Sequence, residues 1–185
     1  MVDYTDAIRT ILISFAITIM LGPILIPMLR KFKIGQNVRN DGPKTHLKKS
    51  GTPTMGGIIL LIAIGITVIT SGLLNKDMIV LLISTFGFGL IGFIDDFIKI
   101  KKGRSLGLKP YQKIIGQVII AVILATYQSN TSILGTKIII PFVKGKYLDL
   151  GPLYIPFIAF VVVGTVNSVN LTDGLDGLAS GVTLI

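Results

Sequence analysis

The chain has no cysteine, no tryptophan and no glutamate, a single histidine, and only 15% charged residues over 185 positions. Without cysteine there is no disulfide framework and no thiolate metal site, which excludes a small disulfide-stapled secreted domain. A soluble domain carries about 25% charged residues. Charge this sparse excludes a disordered chain and a coiled coil, both of which depend on it. What fills the space is apolar: 51% of residues are hydrophobic, with mean hydropathy +0.79. Length alone argues for one domain.

The apolar residues come in blocks rather than in alternation. A spanning helix needs about 20 mostly apolar residues, with a range of about 17–25. Five segments meet or approach that measure, at 8–29, 56–72, 78–94, about 110–127 and about 154–169. The first carries Pro23 and Pro27, which are expected to kink it. It does not read as a signal peptide, because Asp3 and Asp6 stand where a basic region belongs. Pro110 suits the first turn of the fourth helix. Between the fourth and fifth lie Lys137-Ile-Ile-Ile-Pro-Phe-Val143 and Tyr147-Leu-Asp-Leu150, separated by a Gly-containing turn. That texture predicts a small β-hairpin at 136–150, outside the bilayer. The run 175–185 begins a sixth helix but supplies only about 16 Å at 1.5 Å per residue. It is expected to be a truncated span, making the chain the N-terminal part of a longer protein. The fold class is therefore an all-α polytopic membrane protein, one integral membrane domain over 1–185.

The formal charge of +9 is unevenly placed. Arg30, Lys31, Lys33, Arg39, Lys44, Lys48 and Lys49 lie between the first two spans. Lys99, Lys101, Lys102, Arg104, Lys109 and Lys113 lie in the stretch 95–113, from the end of the third span into the start of the fourth. These two groups hold thirteen of the eighteen basic residues. Basic loops stay on the cytoplasmic side, so the N-terminus and the hairpin are expected outside and these loops inside. No basic, aromatic-interleaved platform for nucleic acid is present.

Three polar segments gather on that cytoplasmic side. Asp95 and Asp96 stand at the expected end of the third helix, in Gly92-Phe-Ile-Asp-Asp-Phe-Ile-Lys99. An Asp at the bilayer centre costs about 2.5–3.5 kcal/mol, so carboxylates at membrane helices are candidates for function. One carboxylate can take a proton or face a divalent cation while Lys99 meets a phosphate, and hard oxygen ligands favour Mg²⁺. The plainer reading is that both mark a helix end at the interface. In Asn167-Ser-Val-Asn-Leu-Thr-Asp-Gly-Leu-Asp-Gly-Leu-Ala179, the residues Asn170, Asp173 and Asp176 recur every third position, which on a helix places them on one face. Gly174 and Gly177 interrupt that helix or admit a ligand close to the backbone. The alternative is an Asx-rich turn. The third segment, Gly42-Pro-Lys-Thr-His-Leu-Lys-Lys-Ser-Gly-Thr-Pro-Thr-Met-Gly-Gly57, combines glycines, hydroxyls and lysines suited to phosphate oxygens. It lacks the Gly-Lys-Ser/Thr ending of a Walker A loop. His46, standing alone, reads as a surface residue. Together these segments suit an anionic headgroup beside the lipid boundary. A secondary transporter also uses broken polar helices, but its site belongs near the midplane.

Thr52-Pro-Thr-Met-Gly-Gly57, Gly92-Phe-Ile-Asp-Asp-Phe-Ile-Lys99 and Val169-Asn-Leu-Thr-Asp-Gly-Leu-Asp-Gly-Leu-Ala179 resemble the motifs of the phospho-N-acetylmuramoyl-pentapeptide-transferase family. That family is a branch of the polyprenyl-phosphate sugar-1-phosphate transferases. The resemblance covers essentially the whole chain. It implies transfer of phospho-MurNAc-pentapeptide from UDP-MurNAc-pentapeptide to undecaprenyl phosphate, giving lipid I and UMP with Mg²⁺. A sibling that transfers GlcNAc-1-phosphate is the near alternative. The resemblance further implies a bacterial plasma-membrane enzyme of peptidoglycan synthesis, often a homodimer, with a cytoplasmic active site.

By matching positions, Asp95 and Asp96 resemble the acidic pair near the polyprenyl phosphate, one of them its base. Lys99 and Lys113 would face phosphate charge. Asn170, Asp173, Asp176, Gly174, Leu175, Lys49 and Thr54 would lie toward the nucleotide and sugar. The family's Met-Gly-Asp segment, with its Mg²⁺-ligand aspartate, and its His-rich loop have no counterpart here. The metal site is therefore expected to be incomplete, with Asp95 and Asp96 as contributors, and this chain alone to be inactive.

Overall fold

A computed structural model of the chain describes residues 4–31, 54–104, 106–143, 145–173 and 178–184. It is mainly helical: α1 is Tyr4–Lys31, α2 Gly57–Thr70, α3 Lys76–Lys102, α4 Pro110–Thr131, α5 Tyr154–Thr172 and α6 Leu178–Leu184. Strands β1 (Lys137–Ile139) and β2 (Tyr147–Asp149) form one antiparallel pair, and a single 3₁₀ turn, Gly151–Leu153, leads into α5. The chain divides into two compact units, Met1–Pro110 and Tyr111–Ile185.

In the first unit α1 packs on α2, and α2 packs on α3. Among the described residues, four helical segments are long and apolar enough to cross a membrane, Tyr4–Lys31, Lys76–Lys102, Pro110–Thr131 and Gly151–Thr172. The expected second span is shorter in the structure. Its 14 residues reach about 21 Å at 1.5 Å per residue, against a hydrocarbon core of about 30 Å. Ser71 closes it and Gly72, at φ 73°, turns the chain toward α3. Helix α1 runs through both Pro23 and Pro27 without losing helical assignment. Gly89 fits the α2–α3 contact because a Cβ there would stand 2.6 Å from the Leu61 side chain, the close approach that small residues allow between membrane helices. Large apolar side chains such as Phe15, Ile83, Ile123 and Phe160 point outward. A water-soluble bundle would cover them; helices solvated by lipid need not.

Helix α3 departs from expectation at its end. It was expected to stop at the acidic pair, yet it continues to Lys102, so Asp95 and Asp96 sit about two turns inside it. Asn75 opens the helix by accepting a hydrogen bond from the Met78 N–H at 2.8 Å, and Asp77 lies in the first turn. Lys99, Lys101 and Lys102 occupy the last turns, where cations meet the negative end of the helix dipole. Phe97 also holds the continuation, stacking on Phe93 with ring centroids 6.2 Å apart. The true stop is Gly103 at φ 58°. The Gly103 N–H donates to Ile100 O and the Arg104 N–H to Lys99 O, each at 3.1 Å, the paired bonds of a Schellman ending.

In the second unit Pro110 begins α4, as its fixed φ favours. Buried Ala121 and Ala125 line one face of that helix with Gln117. The hairpin pairs Lys137 with Asp149, Ile138 with Leu148 and Ile139 with Tyr147. Its first strand is shorter than the apolar run around it. Strand β1 ends at Ile139, and the Ile140 N–H still donates across the hairpin to Lys146 O at 3.2 Å; beyond it Pro141 has no N–H to donate and Phe142 adopts φ 66°. The apolar run after Asp176 is helical, as α6.

Candidate active site

The acidic pair and its lysine form one compact cluster. One turn separates Asp95 from Lys99, which brings the ammonium against both carboxylates. Lys99 Nζ lies 2.7 Å from Asp95 Oδ2 and 2.9 Å from Asp96 Oδ1. The two acids are not equivalent. Asp95 is 6% exposed, whereas the Asp96 side chain is 32% exposed. Asp95 also accepts the backbone N–H of Leu108 on Oδ1 at 2.8 Å. Burying an ionised carboxylate requires this kind of compensation, a cation on one oxygen and a donor on the other.

The residues that close over Asp95 were not singled out by sequence. Gly107 is buried, and a Cβ at this position would lie 2.5 Å from Asp95 Oδ1, 2.8 Å from its Cγ, and against its carbonyl oxygen. Only glycine fits. Arg104 folds back over the same turn: its Nε donates to Leu106 O at 2.8 Å, and its Nη2 reaches Gly107 O at 3.5 Å. In sequence Gly107 and Leu108 are only a Gly-Leu pair in a basic loop, twelve and thirteen residues beyond Asp95, with no local pattern that marks the contact.

The other candidates lie in separate parts of the chain. Thr54 is half-buried just ahead of α2, and its hydroxyl is buried with no hydrogen-bond partner among the described residues. Its neighbour Met55 has φ 67°, a left-handed conformation costly for a residue with a Cβ. The Met55 carbonyl accepts the Ile58 N–H at 3.1 Å, which starts α2. Lys113 sits half-buried in the first turn of α4. Asn170 is exposed in the last turn of α5, and Asp173 caps that helix through its N–H to Val169 O at 3.1 Å. Asp173 therefore stands just past the helix rather than on a continuous helical face with Asn170. Lys49, Gly174, Leu175 and Asp176 lie outside the described residues, as does His46. Among the described residues no group of three or more histidines and acids comes together as a metal site.

Residues 78–185 match the model of glycosyl transferase family 4, a stretch that contains the acidic pair, Lys99, the Gly107 turn, Lys113 and the Asn170–Asp176 segment. The chain belongs to that family, and its apolar helices of spanning length make it a multi-pass membrane protein. Residues 49–61 match phospho-N-acetylmuramoyl-pentapeptide-transferase signature 1, which takes in Lys49 and Thr54. The chain is 58% identical over its whole length to the phospho-N-acetylmuramoyl-pentapeptide-transferase of Clostridioides difficile (strain 630), covering 57% of that protein. It is 60% identical, again over its whole length, to the enzyme of that name from Alkaliphilus metalliredigens (strain QYMF), covering 59% of it. A third, from Clostridium kluyveri (strain NBRC 12016), is 52% identical over 96% of the chain and 56% of the relative. The chain thus spans just over half the length of the curated relatives it matches.

Proposed function

We propose that the protein carrying this chain transfers phospho-MurNAc-pentapeptide from UDP-MurNAc-pentapeptide to undecaprenyl phosphate, forming lipid I and UMP in the bacterial plasma membrane. The observation that carries the reading is the Asp95–Lys99–Asp96 cluster near the basic end of α3, within the stretch matched by the family. A phosphate oxygen of the lipid attacks the sugar-linked phosphorus of the UDP substrate. A new P–O bond forms, the bond to the bridging oxygen breaks, and UMP leaves with that oxygen. Asp96, the more open carboxylate, suits the proton of the lipid phosphate, while Asp95 fixes Lys99 beside the incoming negative charge. Lys113 adds a second cation for phosphate. Thr54, Lys49, Asn170, Asp173, Gly174, Leu175 and Asp176 are proposed to hold the nucleotide and sugar.

Adjacent carboxylates offer hard oxygen donors, the kind Mg²⁺ prefers. They fit as contributors to such a site rather than as the whole of it, since no third acid joins them among the described residues. Bound there, Mg²⁺ would offset the negative charge that gathers during phosphoryl transfer. A cytoplasmic site, an N-terminus outside and a homodimer are part of the same proposal; the excess of basic residues in the two loops supports the orientation by the positive-inside rule.

The test is an assay of the full-length gene product with undecaprenyl phosphate and either UDP-MurNAc-pentapeptide or UDP-GlcNAc. UMP release and lipid I from the muramoyl substrate are expected. UMP release from UDP-GlcNAc alone would move the protein to the sibling activity. Asp95→Asn is expected to lower turnover at least about a hundredfold, roughly 2.7 kcal/mol of barrier; a near-native rate would remove Asp95 from the site.

A further inference from the structure

We propose that Arg104, Gly107 and Leu108 together form a positioning device for Asp95, with Gly107 as its fulcrum and Arg104 as its clamp. The inference rests on the reading of Asp95 as part of the active site.

A buried carboxylate on a helix has rotamer freedom and two equivalent oxygens. This one has neither to spare. Oδ2 meets Lys99 at 2.7 Å and Oδ1 accepts the Leu108 N–H at 2.8 Å. Two partners on opposite oxygens fix both the rotamer and the roll of the carboxylate. Lys99 is thereby fixed as well, and its remaining N–H capacity reaches Asp96 at 2.9 Å.

The N–H of Leu108 can reach Asp95 only because the backbone at residue 107 lies against it, where a Cβ would collide with the carboxylate and the carbonyl oxygen. The approach is held from both sides. Behind it, the Gly103 ending fixes the Arg104 backbone to Lys99 O. Ahead of it, the Arg104 guanidinium spans to the carbonyls of Leu106 and Gly107. A carbonyl held by a guanidinium turns away from the acid, and the next N–H turns toward it. The turn therefore holds the orientation of Asp95 without touching substrate. Gly107 and Arg104 are positioning residues, and their loss should reduce turnover rather than substrate binding.

The experiment compares Gly107→Ala, Arg104→Ala and Asp95→Asn with each double variant in the full-length protein, using UMP release with kcat and KM measured separately. Gly107→Ala is expected to lower kcat about ten- to a hundredfold with KM for the UDP substrate within about twofold, as for loss of a transition-state interaction. Arg104→Ala is expected to give a smaller loss of the same kind. In the Asp95→Asn background neither substitution should lower kcat further, because the device acts through that carboxylate. Arg104 is exposed, so its variant decides the matter if Gly107→Ala fails to fold. Native kcat in both single variants, or full additive losses on top of Asp95→Asn, would overturn the proposal while leaving the assignment of Asp95 intact. A native rate in Asp95→Asn itself would instead overturn the site.

Discussion

The Asn167 side-chain amide donates to Gln117 Oε1 at 2.7 Å, tying α5 to α4 across fifty residues of sequence. The same amide donates to Val163 O at 2.8 Å within its own helix. Gln117 is 4% exposed, and a side chain so placed in an apolar helix pair needs a partner. Asn167 opens the polar stretch that runs on to Asn170 and Asp173, so this bond fixes the base of that segment.

Gln117→Leu is expected to lower stability by about 0.6 kcal/mol and by no more than about 1.7 kcal/mol, the average and the maximum for hydrogen bonds between membrane helices. Asn167 keeps its bond to Val163 O, which limits the loss. A double-mutant cycle with Asn167→Leu, read by equilibrium unfolding in detergent, should return a coupling of about 0.6 kcal/mol. Zero coupling would show that the pair carries no stability.

Lys99 answers to two carboxylates at once, and the buried one depends on it more. Lys99→Met is expected to destabilise the protein by about 1–3 kcal/mol, since Asp95 loses its cation but keeps the Leu108 N–H. Lys99→Arg should restore part of that loss by re-pairing the acids, while turnover recovers less because the guanidinium is larger and planar. Thermal unfolding and UMP release on the same preparations separate the two effects. Equal recovery of stability and turnover would argue against a distinct role in the reaction.

The long apolar blocks made four of the spans legible, because length and hydropathy are what a bilayer selects. The hairpin was legible from Gly145 and the apolar runs beside it. The end of α3 was not, since a pair of aspartates looks like a helix boundary when hydropathy is the guide. Inside the fold, Lys99 one turn later pairs with both and Phe97 stacks on Phe93, so the helix continues. Sequence likewise identified Asp95, Asp96 and Lys99 but passed over Gly107. Its importance depends on a contact with Asp95 twelve residues away, and no local pattern announces such an approach.

Gly103 ends α3 in a left-handed conformation at φ 58° that a Cβ disfavours by roughly 1–2 kcal/mol. Gly103→Ala is expected to lower stability by about 1 kcal/mol. It should also loosen the Arg104 backbone bond to Lys99 O, and through it the turn over Asp95. Hydrogen exchange in detergent should show faster exchange at the Arg104 and Leu108 amides than in the native protein. Unchanged protection at Leu108 would show that the helix ending and the turn are independent.

The hairpin carries a pH-dependent contact that can be tested apart from the membrane helices. Asp149 Oδ1 accepts the Thr136 hydroxyl at 2.6 Å and the Gly151 N–H at 3.0 Å. The Thr136 hydrogen bond chiefly, then the Gly151 N–H and nearby Lys137, holds its carboxyl below the ordinary value of 3.8. A carboxylate depressed on folding contributes stability above its unfolded value, and that contribution disappears as the pH falls through the folded value. The hairpin should therefore be fully tied at neutral pH and loosen only under strong acid, below the range in which free aspartates titrate. Thr136→Val removes the principal donor while keeping the β-branched shape. The Asp149 carboxyl is then expected to titrate nearer the ordinary value, and protection of the Leu150 N–H, which donates to Thr136 O at 3.1 Å, should fall at higher pH than in the native protein. NMR titration of the carboxyl carbon reads the first effect and amide exchange the second. An unshifted titration in Thr136→Val would show that the hydroxyl contributes nothing to Asp149.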